Sequence, residues 1–362
     1  MKTRFLSAAI SALALSVRPG AAATPTLTDA PYEMTKVADG VYAFITAEPK
    51  TTLVSGNTVA IVGDDGVLVF DTGHFPSVTR RIIADLRKVT NKPVQYVVNS
   101  HWHYDHLMGN AVFADEYPGL RVIVHSFTAD QMEKKVRPYG ERLAKQIPVF
   151  AENLRKTAAS GENAEGKPLS PDEIESNRLL LNDAEAVLPE AALMKFRAPD
   201  ITFDRDLEVH LGKRAVRILH LGRGNTGGDA IVYVPDAKVI ATGDVVVSPV
   251  PYAYDGYGTE WIAVLKQIEA MDAAIIVPGH GPVMNDRKYL DRVIAMLESI
   301  DSQVRAAYKP GAKIDDIRPK VDLAKFRADF AGTDPHRNFV FTDAIAGPAI
   351  ERSFEEVQFS TE

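Results

Sequence analysis

Three imidazoles and a carboxylate fall within the segment Ser100-His101-Trp102-His103-Tyr104-Asp105-His106. Imidazole nitrogen and carboxylate oxygen are donors that borderline metal ions accept, zinc first among them. The segment follows the apolar run Val94 to Asn99, so it sits where a strand gives way to a loop. Alternate residues of an extended chain point to one side. His101, His103 and Asp105 can therefore converge from one face while His106 turns into a neighbouring position. The chain has no cysteine, which excludes thiolate ligands and a disulfide framework and leaves nitrogen and oxygen to hold a metal. One or two bound metal ions, zinc first, are what this segment suggests.

The elements that must position these residues are legible as short apolar runs. Val41 to Ile45, Asn57 to Val62 and Gly66 to Phe70 read as successive strands, with a hairpin signal at Asp64-Asp65-Gly66. Ser77 to Val89 carries apolar residues at helical spacing, and Val122 to Val124 is a further strand. From about 130 to 195 the composition turns to Ala, Glu, Lys, Leu and Arg, which predicts a helical insertion. Ser170-Pro171-Asp172-Glu173 within it has the form of a helix cap. Strands resume at Ile201 to Phe203, Leu207 to His210, Ala215 to Leu219, Ala230 to Val234 and Val239 to Ala241, and a mostly helical tail follows Asp286. This alternation indicates a layered α/β architecture.

The motif and its companions resemble the metallo-β-lactamase-fold superfamily. His-x-His-x-Asp-His after an apolar strand is similar to the family signature. Asp71-Thr72-Gly73, Gly224-Asn225-Thr226-Gly227-Gly228-Asp229, Thr242-Gly243-Asp244 and Pro278-Gly279-His280-Gly281 follow in the family's order. The resemblance implies a four-layered αβ/βα sandwich over residues 24–300, with the insertion at about 130–195 and a helical C-terminal extension at 301–362. It implies that His101 and His103 hold a first zinc, that Asp105, His106 and His280 hold a second, that Asp244 bridges them, and that Asp71 orients a ligand. Asp105 would also be the catalytic residue, orienting a metal-activated water and shuttling its proton. Where the family usually has Gly-His-Thr, this chain has Gly224-Asn225-Thr226, so one imidazole is replaced by a neutral amide and the first site is weakened. Asn225 would complete it weakly, a water or the nearby His220 would fill the gap, or only the Asp105/His106/His280 site would be occupied. Trp102 and Tyr104 beside the metals, and Tyr252 and Tyr254 in the turn-rich stretch 249–258, are candidates for touching substrate.

The family-like expectation is an ester, lactone or amide hydrolase. An Asp at 244 resembles the thioesterase, lactonase and phosphodiesterase members such as glyoxalase II, and true β-lactamases of the superfamily usually carry Cys or Ser there. β-Lactam hydrolysis, an iron-dependent oxygenase of the same fold and a non-catalytic metal-binding protein are the competing readings. A net charge of -7 and the absence of a basic run argue against nucleic acid as partner and leave a small-molecule substrate. Lys2 and Arg4, the apolar stretch Phe5 to Val17 and Ala21-Ala22-Ala23 read as a signal peptide of residues 1–23. The mature chain is then periplasmic or secreted, with no membrane anchor after cleavage. For the insertion, a lid and a homodimer surface are both open.

Overall fold

The computed structural model describes residues 32–48, 54–163 and 166–360; the leader expected at 1–23 lies outside them. Seven strands lie in chain order in one sheet: β1 (Tyr32–Ala38), β2 (Val41–Thr46), β3 (Thr58–Val62), β4 (Val67–Phe70), β5 (Val94–Val98), β6 (Arg121–His125) and β7 (Ile201–Phe203). The first four pair antiparallel, and β4 to β7 pair parallel. A second sheet has the order β12 (Ile275–Val277), β11 (Val239–Ala241), β10 (Ile231–Val234), β9 (Arg214–Leu219), β8 (Asp206–Leu211).

Period-two alternation decides which layer each side chain enters. In β4, Leu68 and Phe70 face the second sheet and pack with Val216, Ile218, Val232 and Val239. Val67 and Val69 face the other way, onto Val78, Ile82 and Ile83 of the helix Pro76–Val89. Beyond the second sheet, Trp261, Leu265, Leu290 and Leu297 form a third apolar layer, in which Phe330, Phe341, Ile345 and Phe354 of the C-terminal residues are also buried. The result is the expected helix–sheet–sheet–helix sandwich. The helix Lys288–Ala307 runs straight through residue 300, where the extension was expected to begin, and the residues after it share its core.

The expected insertion is helical. Tyr139–Ser160 and Pro171–Ala191 pack through Ala151, Leu154 and Ala184, and a π-helical turn at Met132–Val136 precedes them. Ser170 caps the second helix reciprocally with Glu173. Met132, Val136, Val187 and Met194 join the core against the first sheet, so the insertion is packed onto the sandwich. Among the described residues no helix is long and apolar enough to cross a membrane.

Candidate metal centre

Asp71 ends β4 with φ 58°, in the left-handed region that Asp tolerates better than most residues. From there its carboxylate receives Ser100 N at 2.7 Å, Ser100 Oγ at 2.7 Å and His106 Nδ1 at 2.8 Å. An ionised carboxylate only accepts, so the proton of His106 resides on Nδ1 and Nε2 presents a lone pair. The same carboxylate acts on His101 at one remove. Ser100 gives its hydroxyl proton to Asp71, so its oxygen accepts from His101 Nδ1 at 2.8 Å and leaves His101 Nε2 free. Asp255, a residue that the sequence patterns did not single out, does this for His103. Its Oδ2 lies 3.1 Å from His103 Nε2, leaving Nδ1 as the lone-pair nitrogen.

Close packing brings these donors together. Asn57, at the head of β3, donates to Pro278 O and Gly281 O and so ties the loop of His280 to the first sheet. A Cβ on Gly56 would lie 2.4 Å from His106 Cε1, and one on Gly279 would lie 2.1 Å from Asp244 Oδ1, so both positions require the bare backbone. The indole N–H of Trp261 donates to Val245 O and fixes the turn Gly243–Val245 that carries Asp244.

His106 Nε2 lies 3.2 Å from His280 Nε2, 3.4 Å from Asp105 Oδ2 and 3.1 Å from Asp244 Oδ1. His280 Nε2 lies 3.1 Å from Asp105 Oδ2 and 3.4 Å from Asp244 Oδ1. A tetrahedron built on zinc bonds of about 2.0–2.1 Å has edges of about 3.3–3.4 Å, so these spacings are those of a ligand set. The other carboxylate oxygen, Asp244 Oδ2, faces His101 Nε2 at 3.8 Å. Among the described residues, buried His101 Nε2, Asp244 Oδ1 and Asn225 Oδ1 have no hydrogen-bond partner. Such orphaned donors are costly unless a cation satisfies them, and these residues fit one.

Electrostatics agrees with that arrangement. Burial, reinforced by His106 and His103, holds the His101 pKa well below its usual value and keeps the ring neutral. At His106 burial alone would lower the value, but Asp244, Asp105 and Asp71 override it and hold it well above normal, so these carboxylates favour positive charge at that ring, which a bound cation would supply in place of the Nε2 proton. Burial would raise the carboxylate of Asp105, yet His106 and His280 hold it well below the usual range.

Asn225 donates its amide to Tyr252 O at 2.6 Å, which leaves the oxygen as the unsatisfied atom. Its loop is organised by buried Asp229, which receives Gly224 N, Thr226 N and Thr226 Oγ1; desolvation raises Asp229 to about 7. His220 does not join the cluster. Its Nδ1 pairs with Asp229 O at 2.8 Å and its ring packs 4.1 Å from that of His125.

The aromatic candidates divide. Tyr252 flanks His280 with ring centroids 6.0 Å apart. It lines a cavity with Thr46, Glu48, Ser248, His336 and Arg337. The last two come from the C-terminal helix Pro335–Val340, and Arg337 forks onto Glu48 at 2.6 and 2.8 Å. Tyr104 stacks on Tyr139 of the insertion at 3.8 Å, and the Tyr139 hydroxyl is 3.1 Å from Nε2 of His74, another residue the sequence patterns passed over. Trp102 is buried under Lys135, whose Nζ lies 3.7 Å from the ring centroid. Tyr254 is 55% exposed and donates to Asp343 at the surface.

The sequence profile of the metallo-beta-lactamase superfamily matches residues 51–280, well over half of the chain. A linear primary-alkylsulfatase of Pseudomonas sp. (strain ATCC 19151) is 25% identical over 282 residues, covering 75% of this chain and 50% of that protein. The chain thus spans about half the length of that curated relative. Among solved structures, a metallo-beta-lactamase from Pontibacter korlensis superposes with a TM-score of 0.52 at 18% identity, over 74% of this chain and 99% of that one. The metallo-beta-lactamase IND-7 superposes with a TM-score of 0.51 at 15% identity, over 74% and 98%. At those identities the structures speak for the fold alone. With the ordered motifs, the four layers and the converging donors, the profile match places the chain in the metallo-beta-lactamase superfamily.

Proposed function

We propose that the protein is an exported zinc-dependent hydrolase of small-molecule esters, sulfate esters included. The carrying observation is the convergence of Asp105, His106 and His280 at mutual separations of 3.1–3.4 Å, with Asp244 Oδ1 3.1 Å from His106 Nε2 and 3.4 Å from His280 Nε2. The second half is built on His101, whose Nε2 lies 3.8 Å from the shared Asp244 and groups with His106, and the family resemblance adds His103 and the Asn225 amide, its weak member. Bound zinc supplies Lewis acidity and lowers the pKa of a coordinated water towards neutrality.

The remaining work falls to the protein. Asp105 keeps its carboxylate ionised against His106 and His280, orients the attacking water and accepts its proton at Oδ. Asp71 and Asp255 hold the imidazoles in the tautomers that face inward. The cavity beside His280, walled by Tyr252, His336 and the Glu48–Arg337 pair, binds the part of the substrate that does not react.

The alkylsulfatase relative adds sulfate esters to the carboxylic esters and lactones that Asp244 favours over β-lactams. Residues 1–23 are proposed as the export leader, supported by Lys2, Arg4 and the apolar run that follows. N-terminal sequencing of the mature protein should then begin near Thr24.

The test combines zinc stoichiometry with turnover of alkyl sulfates, carboxylic esters, lactones and β-lactams by the wild type, Asp105→Ala and His106→Ala. Loss of about 10²–10⁴ in rate is expected for Asp105→Ala, and loss of the tighter metal for His106→Ala. Full activity in both variants would sink the site. Zinc binding without turnover of any ester would make the protein a metal binder.

A further inference from the structure

We propose that Asp255 is a positioning residue that holds His103 in the His101/His103 half of the metal site and offsets the weak donor at Asn225. The inference rests on the zinc reading given above. Asp255 lies in the loop after Asp244, outside every motif that suggested the site, and its Oδ2 is 3.1 Å from His103 Nε2. A carboxylate on the outer nitrogen of an imidazole fixes the ring and makes its inner nitrogen a stronger donor. That is the correction an amide-for-imidazole replacement at Asn225 calls for.

Elements outside the two sheets keep the carboxylate in place. The cations acting on Asp255 are Lys135 and Arg352. Lys135 belongs to the π-helical turn of the insertion. Its Nζ sits 3.7 Å above the Trp102 indole, which meets the His103 ring edge-on at 4.5 Å. Arg352 belongs to the helix Gly347–Ser360 and donates from Nε to Gly256 O at 2.9 Å, one residue beyond Asp255. Cations of the insertion and of the C-terminal helix thus act on one carboxylate, behind His103.

The experiment is a zinc titration of chelator-stripped protein, wild type against Asp255→Asn, with thermal unfolding of the metal-free forms as a check on folding. Two equivalents are expected for the wild type, the second weaker. In Asp255→Asn the weaker equivalent should lose about 10- to 100-fold in affinity while the tighter one is unchanged. Adding Asn225→His to Asp255→Asn should recover the weaker equivalent, a rescue that a merely structural role does not predict. Asp255→Ser provides a second carboxylate deletion should Asp255→Asn misfold. A wild-type-like titration of Asp255→Asn, equal weakening of both equivalents, or failure of the rescue overturns the inference. A wild type that saturates at one zinc also overturns it, while leaving the Asp105/His106/His280 site standing. A wild type that takes up no zinc overturns the zinc reading itself.

Discussion

The carboxylate of Asp71 and the imidazole of His106 meet at 2.8 Å, on the same oxygen that receives the Ser100 hydroxyl. One side chain therefore sets the proton positions of two rings, His106 directly and His101 through Ser100. Asp71→Asn keeps the shape but replaces an ionised acceptor by an amide that must also place two protons. Hydrogen bonds to a charged group are worth about 1.5–3 kcal/mol each, and loss of such a partner costs about 10- to 100-fold in metal affinity. Isothermal titration with zinc should show that drop, and unaltered affinity would remove Asp71 from the assembly.

Gly279→Ala separates site geometry from fold. The added methyl would fall 2.1 Å from Asp244 Oδ1 and 2.6 Å from the Gly243 carbonyl carbon, so the carboxylate shared by both halves must move. Displacement of a reacting group by an ångström can cost about 10²-fold in rate, while overpacking costs about 1–3 kcal/mol of stability. Turnover should fall by at least that factor in a protein that still unfolds cooperatively. Wild-type kcat/KM would show that Asp244 has more room than the geometry allows.

Asn225→His puts an imidazole where the orphaned amide oxygen now lies. Zinc retained after dialysis should rise towards two per chain, read by elemental analysis. Unchanged stoichiometry would mean that the half-site is already complete with Asn225.

His125 carries a pH dependence away from the metal. Its Nδ1 accepts from Phe127 N at 3.2 Å, its Nε2 meets Asp204 O at 3.2 Å, and its ring stacks near His220. Burial, helped by His220, lowers its pKa below 6.5. Above 6.5 both folded and unfolded chains are neutral at this group. As pH falls from 6.5 towards the folded value, the unfolded chain takes up a proton that the folded one refuses, and stability drops. Urea midpoints between pH 7.5 and 5 should fall less steeply for His125→Asn, by up to one proton, since Asn can still cap the helix. Equal slopes would remove His125 as the cause.

The local half of the site was readable because its donors are neighbours in the chain: His101, His103, Asp105 and His106 announce themselves by spacing. Asp244 and His280 stood out only through resemblance, since an isolated Asp or His in a turn carries no signal of its own. Asp255 and His74 were silent for the same reason, their partners being brought in by the tertiary fold. The sheets followed from apolar alternation, but β1 was missed because its edge position leaves its residues half-exposed and its pattern weak. β12 was passed over as well, its Ile275–Val277 running directly into the Pro278-Gly279-His280-Gly281 motif. Trp102 illustrates the opposite failure: sitting between two ligands suggested contact with substrate, yet alternation along the chain turns it away, under Lys135.

His106 and His280 touch at 3.2 Å but are 174 positions apart. At a synthesis rate of roughly 5–20 residues per second, the donors at 101–106 emerge from the ribosome roughly ten to thirty seconds before the histidine that faces them. The Asn57 side chain, which anchors the His280 loop to the first sheet, waits longer still for its acceptors at Pro278 and Gly281, 221 and 224 positions on. Closure of the centre is thus a late event in the life of each new molecule. A truncated or stalled chain would expose an unsatisfied chelating tetrad to whatever ions surround it.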